Sequence, residues 1–233
     1  MGQAGFLSIL FDVLRWIPLR DLDQTTPEGE SLKSTKTEET GTVCHTILQD
    51  PSLYSFLLCI DQDLAAAARA LGCTCGGVLH AAPYPRKPRG AAVVLDEDYW
   101  WRWSFCCADC RHRMTPESVR FLGRRVYLGV VVVLLSAMCA GITDRRASHL
   151  AQSFGVPRRT LERWREWWLN GFAHSAFWTV AQARFMPAVE RLALPANLLE
   201  RFVGETLRAR LLLLLQFLRP LSTRAASTLV EGA

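Results

Sequence analysis

The sequence predicts a mainly α-helical protein that contains one small β-ribbon. Three observations lead to this prediction. Apolar residues recur at helical spacing on both sides of the middle of the chain, and a segment rich in proline, glycine and cysteine separates them without a helical period. Further on, a glycine turn joins two short helical patterns. Half of the 233 residues are apolar and a fifth are charged, which is typical of a globular protein.

The positive charge is concentrated after the first 43 residues. The whole chain has a net charge of +5, yet residues 1–43 carry four Lys and Arg against seven acids. The rest of the chain therefore has an excess of eight positive charges. Such an excess suits a polyanionic partner, either nucleic acid or anionic lipid, and a solvated basic surface is the alternative.

Composition divides the chain into five segments. Residues 21–43 are rich in Thr, Glu, Ser and Gly, so we interpret the N-terminal segment as a flexible or non-native extension. No cation precedes the initial apolar stretch and Asp12 interrupts it, so we expect no export signal and a cytoplasmic protein. The predicted segments are the extension 1–45, a helix over 46–72, a zinc-ribbon-like segment over 73–115, a helical region over 116–170 and a helical C-terminal region over 171–233.

The first predicted helix has a clear start signal. Asp50 followed by Pro51 is a typical helix start, and apolar residues then recur at helical spacing up to an alanine-rich tract. After residue 116 the chain has the pattern of one helix after another. The candidate helices there are 117–142, 145–154, 157–170, 173–185, 187–203 and 205–219.

Residues 126–143 are a stretch of 18 residues without a charge. This length is the lower limit for a membrane-spanning helix. Gly129, Ser136, Cys139 and Gly141 interrupt the stretch, and buried core helices or strands of this composition are common. We therefore favour a core element, and a protein anchored in a membrane through this stretch is an alternative.

Five of the eight cysteines lie in two close groups that are thirty residues apart. The spacing C-x-x-C of Cys107 and Cys110 lets two thiolates of one tight turn reach the same tetrahedral ion. Gly76 and Gly77 suit a turn after the first group. In a reducing cytoplasm, clustered cysteines are better explained as metal ligands than as disulfides.

Two cysteine pairs separated by a β-hairpin predict a zinc ribbon with a structural Zn²⁺. Two strand-like runs flank an Asp-Glu-Asp turn in VVLDEDYWWRWSFCC, which is what such a hairpin needs. The predicted ligands are Cys73, Cys75, Cys107 and Cys110. Two alternatives stay open: Cys106 in place of Cys107, and His80 or His112 in place of a thiolate.

Residues 145–168 have the pattern of a helix-turn-helix. Ala151 lies four residues before Gly155, which suits the small residue and the turn glycine of that motif, and Pro157 can start the second helix. The apolar faces would come from Leu150, Phe154, Val156, Leu161 and Trp164. An ordinary pair of helices with a solvated basic face is the alternative.

The helix-turn-helix places basic residues where DNA-binding proteins of this kind contact the duplex. The second helix would present its N-terminal end and outer face to base edges and phosphates, and the start of the first helix would reach backbone phosphates. The predicted DNA-binding residues are Arg145, Arg146, Arg158, Arg159, Thr160 and Arg163.

Two further features have two interpretations each. The run from Tyr84 to Gly90, with three cations and two internal prolines, is either a basic arm for a DNA groove or a proline-rich linker. The aromatic residues of the ribbon segment either stack on unpaired bases or form a small core beside the metal. These aromatic residues are Tyr99, Trp100, Trp101 and Trp103.

The order of these parts resembles small zinc-ribbon plus helix-turn-helix proteins of bacterial mobile elements, which are commonly called transposase-like. The resemblance covers roughly residues 46–185 and is carried by CGGVLHAAPYPRKPRG, FCCADCRHRMTPESVRFLGRRVYLG and RRTLERWREWW. It implies DNA binding and an association with insertion elements. It does not by itself imply catalysis.

These observations together predict a sequence-specific DNA-binding protein with a structural Zn²⁺, either associated with a transposase or a truncated one. Duplex DNA is the expected partner, with a transposase or a second copy as further candidates, and we expect no small-molecule substrate. A catalytically active transposase or nuclease is the alternative. Its site would need three carboxylates on a mixed α/β core, whereas Glu190, Glu200 and Glu205 lie on predicted helices among arginines.

Overall fold

We describe the fold from a computed structural model of the chain. The structure describes residues 43–122, 127–139, 148, 152 and 154–223. Within these ranges the protein is mainly α-helical with a small antiparallel sheet, as the sequence predicts. The predicted extension 1–45 lies almost wholly outside them.

The first long helix, α1 (Pro51–Leu71), follows a short helical stretch at residues 43–48. Asp50 caps it, because its side chain accepts a hydrogen bond from the amide of Ser52 at 2.9 Å, and Pro51 occupies the first turn. The helix ends at Gly72, which has a φ of +73°. Cys73 therefore follows directly after the end of a rigid helix.

The ribbon consists of two short antiparallel ladders that share one register. Leu79 pairs with Cys107 near one end and Tyr84 pairs with Arg102 near the other. Its strands are β1 (Leu79–Ala81), β2 (Tyr84–Pro85), β3 (Trp101–Arg102) and β4 (Phe105–Cys107), and β5 (Arg113–Met114) pairs with the second edge of β4. The alternation of side chains therefore gives the whole ribbon two distinct faces.

The predicted strand before the Asp-Glu-Asp turn is wrong, whereas the predicted run after the turn contains β3 and β4. Residues 93–95 form no strand, and Glu97–Trp100 is a 3₁₀ helix. The Asp96 side chain accepts from the amide of Asp98 and so caps that helix. The hairpin instead pairs the segment after the first cysteines with the segment before the second ones.

The described residues 117–122 and 127–128, in the first half of the predicted helix 117–142, are also not helical. Helix α2 begins only at Gly129 and ends at Met138. The amide of Val119 donates to the carboxylate of Asp61 on α1 at 2.8 Å, and the amide of Gly129 donates to the carbonyl of Arg120 at 2.8 Å. Since these contacts engage the backbone in tertiary hydrogen bonds, the described residues 117–122 do not form a helix.

Helix α2 (Gly129–Met138) lies at the centre of the core. All eight residues from Gly129 to Ser136 are buried. This result confirms the prediction of a core element within the uncharged stretch, as far as residues 127–139 show it. No helix in the described ranges is long and apolar enough to cross a membrane.

The remaining helices pack around α2. Helix α3 (Arg158–Glu166) contacts α2 and continues as a π-helical turn over Trp167–Phe172. The later helices are α4 (Ala176–Ala181), α5 (Ala196–Glu200) and α6 (Leu207–Leu218). The predicted helix 187–203 is therefore reduced to α5 and a 3₁₀ turn at Arg191–Ala193, because Pro195 has no amide to continue a helix.

The ribbon has its own small core beside the main one. Ala65, Leu79, Phe105 and Cys107 are buried together, whereas the main core extends from Cys44 through α2 to the C-terminal helices. A cluster of four buried residues is a weak hydrophobic core for a segment of this length. The ribbon therefore needs another source of stability.

Candidate functional site

Four cysteine side chains meet at the end of the ribbon that lies next to α1. The first two belong to a turn that starts where α1 ends. The amide of Gly76 donates to the carbonyl of Cys73 at 2.9 Å, and Gly76 has a φ of +83°, which favours glycine. This tight turn brings Cys75 back beside Cys73.

The second pair of cysteines leaves the ribbon at the same end. Cys107 is the last residue of β4 and lies opposite Leu79 at the start of β1. The amide of Ala108 then donates to the carbonyl of Val78 at 2.9 Å, which holds the second turn against the first. The register of the ladder therefore decides that the two cysteine turns face each other.

Gly77 lies between the two turns, where no side chain fits. A Cβ atom at this position would come within 2.4 Å of a carboxylate oxygen of Asp109 and within 2.6 Å of the Cys107 sulfur. The close approach of the two turns thus depends on this glycine.

The four sulfur atoms have the spacing of a tetrahedral metal site. The Cys75 sulfur lies 3.4 Å from those of Cys73 and Cys107, and the sulfurs of Cys73 and Cys110 are 3.5 Å apart. All four ligand atoms lie within 4.8 Å of one another. Four sulfurs around Zn²⁺ at about 2.3 Å would be about 3.8 Å apart, whereas a disulfide bond is about 2.05 Å long. All four cysteines are free thiols, so this is a possible metal site and not a disulfide pair.

The chemistry of the donor set also fits a divalent cation. The hydrogen bond from the His112 backbone lowers the pKa of Cys110, but the sulfurs of Cys75, Cys73 and Cys107 raise it, with a net pKa of about 12. The Cys110 thiol beside the other three sulfurs therefore resists ionisation. A bound cation would reverse this resistance, because a coordinating thiol is deprotonated.

The alternative ligands lie outside the group of four cysteines. Cys106 pairs with His80 on β1, and alternation along the strand places both on the face opposite Cys107. The Cys106 sulfur contacts the carbonyl oxygens of Cys107 at 3.8 Å and Arg111 at 3.7 Å. Within the described residues, the group of possible ligands contains neither Cys106 nor a histidine.

The turn of the predicted helix-turn-helix is only partly within the described residues. Gly155 has a φ of +58°, and its amide donates to the carbonyl of Gln152 at 3.2 Å. Val156 after the turn is buried, and Pro157 lies at the N-cap of α3. The predicted residues Arg145, Arg146, Leu150 and Ala151 lie outside the described ranges, so the pairing of the two helices stays a prediction.

Helix α3 separates its apolar and basic residues clearly. Leu161 and Trp164 face the core, whereas Arg158, Arg159 and Arg163 are exposed. Arg158 forms an ion pair with Glu162, one turn along, at 2.9 Å.

Thr160 differs from the expectation that it faces outward. It is only 5% exposed, and its hydroxyl oxygen accepts a hydrogen bond from Arg163 at 3.1 Å. Position 160 lies one turn before Trp164, on the same face of the helix, so its side chain is turned to the core. Thr160 can therefore orient Arg163 but does not itself present a group to a partner.

Sequence reasoning missed Arg165, which is also exposed on α3. Burial raises the pKa of the Cys139 thiol, and the nearby guanidinium of Arg165 lowers it. The i, i+4 and i+7 spacing of Arg158, Glu162 and Arg165 could have indicated that the three share one flank.

The aromatic residues of the ribbon segment differ in their exposure to solvent. Tyr99 is 2% exposed, packs edge-to-face on Tyr54 and lies under the guanidinium of Arg120, so it belongs to the core. Trp100 and Trp101 are 55% and 43% exposed and have free surface.

The acidic residues of the C-terminal region lie apart on the surface. Glu190, Glu200 and Glu205 are all exposed. In the described ranges, the four cysteines are the only group of three or more Cys, His, Asp or Glu side chains that could hold a metal ion.

Comparison of the chain with protein-family models, with curated proteins and with solved structures finds no match.

Proposed function

We propose that this protein binds duplex DNA and that a structural Zn²⁺ holds its ribbon together. The observation that carries the proposal is the convergence of four thiols at tetrahedral spacing at the end of a ribbon with a weak core. A closed site of four thiolates stabilises a fold and leaves no open position for chemistry. The zinc therefore has a scaffolding role.

The DNA-binding part of the proposal rests on α3. Its apolar face is fixed on α2, its outer face carries exposed arginines, and a glycine with positive φ precedes it. A helix placed in this way can enter a major groove with its N-terminal end. The excess of eight positive charges after residue 43 suits the same polyanionic partner.

The biological setting that we propose follows from the resemblance to zinc-ribbon proteins of mobile elements. We propose a sequence-specific DNA-binding protein of such an element, associated with a transposase or derived from one. A cleavage assay with Mg²⁺ on element ends separates a pure DNA-binding protein from an active transposase, since only the transposase would cut.

The zinc centre is tested by elemental analysis of the full chain purified without added metal. We expect about one Zn²⁺ per chain. Protein that is folded and contains no zinc would contradict the scaffolding role.

DNA binding is tested by fluorescence anisotropy with labelled duplexes over a series of salt concentrations. Affinity should fall steeply with salt, because cations released from the DNA drive binding. Arg163→Ala should weaken binding, with a loss of about 1–3 kcal/mol if the side chain contacts a base. Asp63→Ala on α1, an exposed position, is the control. Absent or salt-insensitive binding would refute the function.

A further inference from the structure

A basic segment, residues 86–90, crosses from the ribbon to the helical body, and we call it the basic arm. At its start, the amide of Arg86 donates to the carbonyl of Trp100 at 2.6 Å, and its guanidinium lies 5.2 Å from the ring centre of Phe121. At its end, the carbonyl of Arg89 accepts from the amide of Leu128 at 3.1 Å. Both ends of the basic arm are thus fixed on the protein, so it is not a loose linker.

Gly90 shows how closely the basic arm approaches α2. Its φ is +90°, and a Cβ atom here would lie 2.9 Å from a methyl carbon of Val131 and 3.2 Å from the ring of Tyr127. Only glycine allows this contact without a shift of α2 or of the tyrosine. The end of the basic arm therefore lies directly on the N-terminal part of α2.

Tyr127 connects the basic arm to α3. Arg89 and Tyr127 form a parallel β-bridge, in which neighbouring backbones are about 4.8 Å apart. The Tyr127 ring packs edge-to-face on Trp164 of α3, with ring centres 5.1 Å apart. The backbone of the basic arm is therefore separated from α3 by a single aromatic side chain.

The Tyr127 contact lies next to the basic residues of α3. Tyr127 directly precedes the N-cap residue of α2, and its ring packs on Trp164, which follows Arg163 in α3. Arg159 and Arg163 are one turn apart and occupy the flank opposite Arg165. The exposed arginines of α3 and the end of the basic arm are therefore connected through Tyr127 and Trp164.

Four cations on this side of the protein have no acidic partner among the described residues. Lys87 and Arg89 are exposed, as are Arg159 and Arg163. In the described part of the chain none of these four side chains forms an ion pair, in contrast to Arg158 on the other flank. Four exposed cations on two adjacent elements give a surface that suits a polyphosphate backbone.

We propose that the basic arm is a second DNA-contacting element, which places Lys87 and Arg89 on backbone phosphates of the duplex that α3 binds. The inference rests on the DNA binding proposed above. Phosphate contacts fix the position of a protein on DNA without reading sequence. The ribbon and its zinc would thus serve DNA binding indirectly, since β2 leads directly into the basic arm.

The test measures the affinity of the full, zinc-loaded chain for a mixed-sequence duplex and for its preferred duplex over a salt series. The double variant Lys87→Ala, Arg89→Ala should reduce the slope of log K against log salt by about 2, or about 1 for each lost phosphate contact. Its preference between the two duplexes should not change. Arg89→Lys should retain the slope. Arg69→Ala removes one exposed charge from α1 and is the matched control.

Each result of these binding measurements either supports or overturns the proposed role of the basic arm. If the wild-type chain binds DNA and the double variant keeps the wild-type slope, the inference is wrong while the proposed function stands. If Arg69→Ala lowers the slope by about 1, which is the effect expected of one lost phosphate contact, total charge and not the basic arm is responsible, and the inference is overturned. If the wild-type chain does not bind DNA, the proposed function itself fails. Circular dichroism and zinc content check that every variant is folded.

Discussion

Removal of the Asp61 carboxylate should destabilise the protein more than any change on its surface. Asp61 is 1% exposed and accepts hydrogen bonds from the Ser118 hydroxyl, the Val119 amide and the Arg120 guanidinium, all within 2.8 Å. Arg120, which is fully buried, also donates to the carbonyl of Trp101 at 3.0 Å. This network therefore joins α1, the ribbon and the segment that leads to α2.

The expected loss of unfolding free energy follows from the buried groups that Asp61→Ala leaves unpaired. Asp61→Ala leaves a buried guanidinium without its counter-ion, together with a hydroxyl and an amide without an acceptor. Breaking a buried ion pair from one side costs about 3–5 kcal/mol. For a chain of this size, that loss lowers the melting temperature by about 6–20 °C.

The assay is urea unfolding of the zinc-loaded chain, followed by circular dichroism. Asp63→Ala, an exposed change two residues along α1, is the matched control and should stay within about 0.5 kcal/mol of wild type. The double variant Asp61→Ala, Arg120→Met should lose less than Asp61→Ala alone, because no unpaired charge remains. A loss below about 1 kcal/mol for Asp61→Ala would refute this reasoning.

Four other changes test separate parts of the structure. Cys107→Ser should abolish stoichiometric zinc binding while Cys106→Ser retains it, as measured by elemental analysis; equal zinc content in both variants would argue against the ligand set. Gly77→Ala should weaken zinc binding in a competition titration, because its Cβ would meet the Cys107 sulfur, and an unchanged affinity would contradict that contact. Leu134→Ala in the centre of α2 should cost about 2–5 kcal/mol of unfolding free energy, and a loss under about 1 kcal/mol would show that α2 is not central. Burial raises the pKa of Glu117 above its ordinary 4.5, although Arg219 lowers it, so its folded form binds more protons than the unfolded chain. This contribution to stability is lost as pH rises from 4.5 through the raised pKa, and Glu117→Gln should remove that part of the pH dependence; identical pH profiles would contradict it.

The cysteine centre could be predicted because its signal is local. Each pair of ligands lies within one turn, so spacing along the chain was sufficient to indicate a metal site at residues 106–110 and to assign Cys110 to it. The choice between Cys106 and Cys107 depended on the strand register, which sets the face that each side chain occupies. The strands that pair in the hairpin could not be predicted from local patterns either. In the structure β1 pairs with β4, and a long segment of the chain lies between them.

The helix boundaries that could not be predicted depend on contacts between distant residues. The pattern after residue 116 is compatible with a helix. In the structure, however, the carboxylate of Asp61 on α1 accepts a hydrogen bond from the amide of Val119. Thr160 looks like an outward polar residue in the sequence, whereas its position one turn before Trp164 turns it to the core. Local propensity does not contain either constraint.

The proposed metal centre has the widest consequences, because the ribbon that it would hold also fixes the start of the basic arm. The most direct test is zinc K-edge X-ray absorption of the full chain as purified. The proposed site of four thiolates predicts a single shell of four sulfur ligands at about 2.3 Å. A shell that contains nitrogen or oxygen ligands at about 2.0 Å, or a chain that folds without metal, would contradict it.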